Sequence, residues 1–132
     1  MTDTPAGSPS APAEYPQFIP QAGACLATTH VLSGAGVVRW MLRKPSQAGA
    51  DNGWRIMSHI DTSEYLSDPS SWTITDFNRV CAIEPALIGI WDLEVGSDLQ
   101  LVRDERGLTI VDTPTGRVVP PENLYVPPQH RA

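Results

Sequence analysis

The residues of this chain that could do chemistry are concentrated in an acidic stretch near its middle. Residues 58–98 contain eight acidic residues and one arginine, a local net charge of −7. Asp61, Glu64 and Asp68 lie close together in the run DTSEYLSDP, where paired carboxylates could act as a general acid and base. That chemistry requires a shifted pKa, and this run shows no evident means of desolvation. We therefore interpret the three carboxylates as surface charges that could bind a cationic partner.

A basic stretch precedes the acidic one. Residues 36–57 contain three arginines and one lysine against a single aspartate, a local net charge of +3. Arg39 and Arg55 stand in predicted strands, so they form a second candidate surface for partner binding. The whole chain has a net charge of −6, which argues against nucleic acid as a direct partner. The sequence leaves the choice between the two surfaces open.

Two cysteines and two histidines could in principle form a zinc site or a nucleophile with its base. Cys25, His30, His59 and Cys81 do not have the spacing of a compact zinc site. A cysteine–histidine pair would need a proximity in space that spacing cannot show. The GAG at 34–36 lacks the third glycine of a dinucleotide-binding loop. We predict no catalytic residue, metal or cofactor in a protein that is not an enzyme. Both cysteines are interpreted as reduced core residues, with a single disulfide between them as the alternative.

Three strands are predicted to position these groups. GACLATTHVL (23–32) is rich in small and β-branched residues, whereas VVRWMLRK (37–44) and WRIMSH (54–59) alternate between apolar and polar residues. Antiparallel pairing of the second and third strands would place Trp40 and Trp54 in one core. Four basic side chains would then share the opposite face of the sheet: Arg39, Arg43, Arg55 and His59.

Two short helices and a hairpin are predicted after the acidic run. Thr75 could cap a helix that buries Phe77 and Val80, and a second helix would begin at Glu84-Pro85. SDLQLVRDERGLTIVD predicts a β-hairpin with DERG as its turn. Because strands group at both ends with helices between them, the predicted class is α+β. The expected architecture is a small antiparallel sheet with two short helices packed on one face.

The prolines divide the chain into a core and two ends. Five of the 13 lie in residues 1–20 and five in residues 114–132. We predict a disordered Pro/Ala/Ser-rich arm over residues 1–22, one α+β domain over residues 23–113 and a Pro-rich tail over residues 114–132. The arm lacks the basic start and apolar stretch of a secretory signal, and no run is long enough to span a membrane. We expect a cytoplasmic protein without membrane contact.

Taken in order, several of these pieces carry a family resemblance. They are CLATTHVL, VVRWMLRK, NGWRIMS, EYLSDPSSW, ITDFNRVCAIEPALIGIWDL and VGSDLQLVRD, which together cover about residues 24–105. The chain resembles the immunity-protein-33-like family, small α+β domains attributed to bacterial polymorphic toxin systems. The resemblance implies a non-enzymatic protein that binds and neutralises a cognate toxin. It brings no catalytic residues with it and does not extend to the two Pro-rich ends.

Four residues around the acidic run have predicted structural roles. Gly53 would let the chain turn and Trp54 would fix the following strand in the core. Tyr65 and Trp72 would brace the loop between them. A braced loop would hold its three carboxylates in place for a toxin with a basic surface, at a smaller ordering cost. Two alternatives stay open: a stand-alone accessory or scaffold domain, and an enzyme of unrecognised type.

Overall fold

The structure is a computed structural model that describes residues 15–131. Six strands form one sheet: β1 (Ala24–Thr28), β2 (Val38–Arg43), β3 (Asp51–Ser58), β4 (Trp72–Asp76), β5 (Asp98–Asp104) and β6 (Gly107–Asp112). Their order across the sheet is β4-β1-β3-β2-β5-β6. β1 runs parallel to β3, and the other four pairings are antiparallel. The sheet is therefore mixed rather than antiparallel as predicted, because β1 inserts beside β3 and not beside β2.

Short helices complete the α+β fold, and this predicted class is confirmed. They are α1 (Thr29–Ser33), α2 (Ser63–Leu66) and α3 (Phe77–Ile83), with 3-10 turns at Pro69–Ser71, Pro85–Ile90, Pro121–Asn123 and Pro128–His130. The two predicted helices correspond to α3 and to the 3-10 turn Pro85–Ile90. The cap of α3 is Asp76 rather than Thr75, since the Asp76 carboxylate accepts the Asn78 N–H at 3.0 Å.

The first strand is shorter than its sequence pattern predicted. β1 ends at Thr28, whose hydroxyl accepts the backbone N–H of Val31 at 3.4 Å and caps α1. Gly34 closes this helix in the left-handed conformation, with φ of 81°. A local side-chain cap therefore overrides the β-branched pattern that predicted a strand through residue 32.

β4 is a strand that the sequence analysis did not predict. It pairs with β1 over all five of its residues, from Thr28 opposite Trp72 to Ala24 opposite Asp76. The run WTITD contains three consecutive β-branched residues, which favour an extended backbone. Ile74, at its centre, is 77% exposed. β4 is one edge of the sheet and β6 is the other.

The hydrophobic core lies on one face of the sheet, beneath α3 and the turn Pro85–Ile90. Trp54 is fully buried there, and its indole N–H donates to the Trp91 carbonyl at 3.0 Å. Burial of each large apolar side chain contributes about 1.5–3 kcal/mol. The other fully buried apolar residues include Val31, Met41, Ile56, Phe77, Val80, Cys81, Leu87 and Ile90.

A register shift in β2 changes which residues share a face. The pairing of β2 with β3 is irregular between Val38 and Trp40, which is the mark of a β-bulge. Beyond it, Met41 pairs with Ile56 and points into the core, so Trp40 points away from the core. The prediction that both strand tryptophans line one core is wrong, because one extra residue reverses the side-chain alternation.

The same shift moves Arg43 away from the predicted basic face. Arg43 pairs with Trp54, and its guanidinium carbon lies 5.8 Å from the centroid of that buried ring. Arg43 also donates to the carbonyls of Asn52 and Leu93, at 2.9 and 2.6 Å. This arginine is therefore a structural residue on the core side of the sheet.

Residues assigned to the two Pro-rich ends pack against the sheet domain. Ile19 is fully buried, and its backbone N–H and carbonyl both bond to the side chain of Asn78, each at 3.0 Å. At the other end, Tyr125 donates its backbone N–H to the Gly89 carbonyl at 2.8 Å and stacks edge-on against Trp91. Residues 15–22 therefore differ from a disordered arm, because Ile19 contributes to the core. The rest of the predicted arm, residues 1–14, lies outside the described residues.

Candidate partner-binding face

The face of the sheet opposite the core carries a row of apolar side chains, and we call it the open face. Cross-strand pairing aligns Ile74 with Leu26, Leu26 with Arg55, and Arg55 with Leu42. Paired residues project to the same side of a sheet. The members of the open face are Leu26, Trp40, Leu42, Arg55, Met57, Trp72 and Ile74.

A groove of about 630 Å³ runs along the open face. Leu26, Leu42 and Met57 form its floor, and Ile74 projects beside them. Leu66 and Pro69, from the segment that follows β3, line the groove together with Trp72. Apolar surface of this kind, bordered by polar residues, is typical of a protein-binding site.

Residues 61–69, which we call the acidic loop, border this groove. Tyr65 stacks on the His30 ring, with centroids 4.1 Å apart and an interplanar angle of 11°. On the other side, the Trp72 indole N–H donates to the Leu66 carbonyl at 2.9 Å. The loop is therefore attached both to α1 and to β4. The two candidate surfaces from the sequence, acidic and sheet-borne, are adjacent parts of one surface.

Asp61 differs from the other two carboxylates of the loop because its side chain is 0% exposed. Its two oxygens lie 2.7 Å from His30 Nδ1 and 2.7 Å from the Ser58 backbone nitrogen. Burial opposes ionisation, but hydrogen bonds from Ser58, His30 and Thr28 outweigh it and hold the pKa of Asp61 below its ordinary value. Asp61 is therefore an internal anchor of the loop, not a group that a partner can reach.

Glu64 and Asp68 are exposed, on either side of groove residue Leu66. The backbone N–H of Ser70 and then its hydroxyl bond the Asp68 carboxylate, both at 2.9 Å, and these bonds lower the pKa of Asp68. Asp68 is thus ionised and held next to Pro69, which lines the groove. These two carboxylates are the part of the acidic loop that a cationic partner can contact.

Arg55 lies within the open face but is not a free surface cation. It is 6% exposed, and its two terminal nitrogens bond the two oxygens of Asp51 at 2.9 and 3.0 Å. Hydrogen bonds from Arg55 are the main cause that holds the pKa of Asp51 well below its ordinary range. Arg55 therefore shapes the floor of the face, and its charge is already neutralised.

Arg39 lies over Trp40 at the β5 side of the open face. Its guanidinium carbon is 5.2 Å from the indole centroid, and one nitrogen donates to the Gln100 side chain at 3.0 Å. Both Arg39 and Trp40 are half-buried. Arg39 and Arg55 thus lie on the same face. Of these two arginines, Arg55 is paired with a carboxylate, whereas Arg39 forms no ion pair within residues 15–131.

Comparison with known proteins identifies the family of the chain. A family model described as the immunity protein Imm33 domain matches residues 25–111. The chain belongs to the Imm33 family. The matched range contains the open face, the groove and the acidic loop. No curated protein and no solved structure matches the chain.

Among residues 15–131, no helix has the length and apolar character that crossing a bilayer requires.

Gly53 and Trp54 have structural positions inside β3. Gly53 has a φ of 91°, and an added Cβ would collide with the Lys44 carbonyl oxygen. It lies inside the strand, at a point where the pairing with β1 shifts, and not in the turn before it. The neighbouring Asn52 side chain accepts the Trp54 N–H at 2.9 Å and donates to the Ala22 carbonyl at 3.0 Å.

The cysteines of the Imm33 domain are buried and free of disulfide bonds. Burial raises the pKa of the Cys25 thiol to about 12 and that of Cys81 far above its ordinary value. Within the described part of the chain, no three histidine, cysteine, aspartate or glutamate side chains converge as metal ligands would.

The apolar members of the open face were missed as functional candidates in the sequence. Ile74 belongs to the unpredicted strand β4, and Trp40 was assigned to the core. The alternation of Thr73, Ile74 and Thr75 is the signal that could have found the exposed isoleucine. Leu26 and Leu42 carry no such signal, since an apolar residue in a half-buried strand is more often part of the core.

Proposed function

We propose that this Imm33 protein is an immunity protein that binds a cognate toxin through the open face and blocks its activity. The observation that carries the proposal is the apolar groove beside the acidic loop, with Ile74 77% exposed at its edge. Family membership supports an immunity role in general. The groove supports a particular surface for it.

The composition of the open face supports tight protein binding. Trp40 and Trp72 are half-buried on it, and tryptophans contribute strongly to binding energy when a partner covers them. The Arg55–Asp51 ion pair is already formed and largely buried. A partner therefore covers Arg55 without leaving an unpaired charge, which would otherwise oppose association.

The exposed carboxylates of the acidic loop support a basic toxin surface as the partner. Glu64 and Asp68 are both exposed, and the loop that carries them is fixed by contacts of Tyr65 and Trp72. Fixed carboxylates attract a cationic surface over a distance of about 8–10 Å at moderate salt, which speeds association. A toxin that acts on an anionic substrate would carry such a surface at its active site.

Binding rather than catalysis is the proposed mode of action. The two cysteine thiols have raised pKa values, so they are protonated and poor nucleophiles near neutral pH. The pKa values of Asp61 and Asp68 are lowered, whereas a general acid at neutral pH needs a raised one. These groups suit structural and electrostatic roles.

Protection of cells against the neighbouring gene product tests the proposed function. The reading frame beside this gene would be expressed alone and with this chain, and growth would be measured. The wild-type chain should restore growth, and Ile74→Asp should abolish protection because it places a charge in the apolar contact. Val95→Asp is the matched control, since Val95 is 52% exposed and does not line the groove.

A neighbouring product that is harmless, or whose toxicity this chain leaves unchanged, would contradict the immunity role. Equal protection by the wild type and by Ile74→Asp would remove the open face from the interface. Soluble yield and unfolding temperature of both variants would be measured in parallel. We expect both to match the wild type, because each altered side chain is at least half exposed.

A further inference from the structure

A smaller, more enclosed cavity lies at the end of the open face, and we call it the anchor pocket. It has a volume of about 200 Å³ and is lined by residues that include Ala24, Leu26, Ala48, Ala50 and Ile74. It lies where β1 separates from β3: Ala24 pairs with Asp51 and Leu26 with Arg55, so β1 advances two residues while β3 advances four. Leu26, Arg55 and Ile74 also line the groove, so the two cavities adjoin.

Hydrogen bonds hold the pocket wall in place. The Asp51 N–H donates to the Ala48 carbonyl and the Ala24 N–H to the Ala50 carbonyl, both at 2.8 Å. The Asp51 carboxylate also accepts the Gln47 N–H at 2.7 Å. An added Cβ at Gly23 would lie 2.8 Å from the Ala50 carbonyl oxygen, so close packing fixes this side as well. A preformed pocket spares its ligand the cost of ordering the wall.

The interior of the anchor pocket suits an apolar group. Arg55, which forms part of the wall, already donates to both oxygens of Asp51 and to the Trp54 carbonyl. Ala24, Leu26 and Ile74 give the lining apolar side chains. An engineered apolar cavity of about 150 Å³ holds benzene. The anchor pocket is large enough for an aromatic ring or a branched aliphatic side chain.

The surroundings of the pocket favour a cation beside that apolar group. Asp51 lines the pocket, and Asp76 is the cross-strand partner of Ala24 in the pocket wall. Asp51 is paired with Arg55, whereas the Asp76 carboxylate accepts hydrogen bonds from two neutral groups of the described residues, the Tyr15 hydroxyl and the Asn78 N–H. No lysine, arginine or histidine among residues 15–131 forms an ion pair with Asp76, so a basic group of a partner can pair with it. Asp76 is half-buried at the end of β4, next to exposed Ile74.

We propose that the toxin inserts one aromatic or branched aliphatic side chain into the anchor pocket, from a segment that carries a lysine or arginine beside it. This inference rests on the proposed function, because it names the contact by which the open face recognises its partner. Anchoring residues of this kind dominate the energy of an interface when they fill a preformed pocket.

Filling the pocket tests the proposal. Ala48 is exposed, so Ala48→Trp should fold normally and occupy the pocket with its own ring. Ala35→Trp is the matched control, since Ala35 is exposed and lines none of the cavities described above. Titration calorimetry would use the purified product of the neighbouring reading frame. We expect Ala48→Trp to weaken binding at least tenfold and Ala35→Trp to match the wild type.

A small probe tests the pocket without the toxin. N-acetylphenylalaninamide would be titrated into the 15N-labelled protein, with N-acetylaspartamide as the polar control compound. We expect the aromatic probe alone to shift the Leu26, Ala48 and Ala50 amide signals of the wild type. In Ala48→Trp, the Leu26 and Ala50 signals should not shift. Unshifted amides would show that the pocket does not accept an apolar side chain, and would overturn the proposal.

The outcomes separate this inference from the proposed function. If the wild type binds the neighbouring product and Ala48→Trp binds it equally well, the anchor is wrong while the immunity role stands. If the aromatic probe binds but the toxin has the same affinity for Ala48→Trp as for the wild type, the pocket binds a free small molecule instead. Self-association of the wild type in sedimentation experiments, lost in Ala48→Trp, would assign the pocket to a second copy of the chain.

Discussion

At the residue scale, the carboxylates of the acidic loop have two separate tasks. Asp61 is buried against His30 and Ser58 and holds the loop on the sheet domain. Glu64 and Asp68 are exposed and can meet a partner. A charge pattern alone could not separate them, because Asp61 is distinguished by hydrogen-bond donors that the fold brings to it. The sequence predicted three equivalent binding residues, and the structure divides them.

Asp61→Asn should reduce stability in a pH-dependent way. The folded-state pKa of Asp61 is lowered, so its ionised form stabilises the protein above about pH 4, the ordinary range of an aspartate. That contribution is lost as the pH falls through the folded-state pKa. We expect Asp61→Asn to cost about 1–3 kcal/mol at pH 7, since it breaks charged hydrogen bonds of a buried group. The difference from the wild type should shrink below pH 4.

Urea unfolding between pH 3 and pH 7 measures this effect. Glu64→Gln, in the same loop, is the control and should stay within about 0.5 kcal/mol of the wild type because Glu64 is exposed. A destabilisation of Asp61→Asn that does not change with pH would contradict the role of its charge.

Gly53→Ala should be strongly destabilising. The residue has a φ of 91°, and a Cβ would strike the Lys44 carbonyl oxygen, so both conformation and packing oppose the change. We expect a loss of about 3 kcal/mol or more in the free energy of unfolding. Gly49→Ala is the matched control, because no atom lies within 4 Å of its added Cβ. Equal stability of the two variants in thermal unfolding would refute this account.

At the element scale, the parts of the fold with strong local patterns were predictable. The existence of β2 and of the hairpin of β5 and β6 was predictable from the alternation of their sequences. β4 was missed because five residues beside a helix cap give a weak signal. The bulge between Val38 and Trp40 has no signal in the sequence, and it reversed the predicted faces. The open face could therefore not be predicted, although most of its strands could.

The acidic loop should control the rate of association. Glu64→Gln combined with Asp68→Asn removes the two exposed charges of the acidic loop. We expect this double variant to associate several-fold more slowly with the toxin at low salt and to lose much of the salt dependence. Stopped-flow measurements between about 20 mM and about 500 mM salt would test this, because that range spans weak and strong screening.

A matched charge change elsewhere completes that experiment. Glu105→Gln combined with Glu122→Gln removes two exposed carboxylates that lie outside the acidic loop. These residues do not line the groove, so the association rate should stay close to that of the wild type. Equal slowing by both double variants would mean that net charge alone steers the toxin and that the loop has no particular part in it.

At the scale of the whole molecule, the two faces of the Imm33 sheet differ in what they carry. One face of the sheet is filled by the core, and Ile19 and Tyr125 from the two ends pack around it. The other face keeps Ile74, Trp40 and a preformed pocket partly accessible. The core and the proposed binding surface thus lie on opposite faces of one sheet. Substitutions on the open face should therefore change binding far more than folding.

The affinity of the purified chain for the product of the neighbouring reading frame tests the central claim most directly. Titration calorimetry would compare the wild type with Ile74→Asp, with Val95→Asp as the control of equal charge. The account predicts tight binding by the wild type and by Val95→Asp, and at least a tenfold loss for Ile74→Asp. Equal affinity of all three proteins would contradict the assignment of toxin binding to the open face.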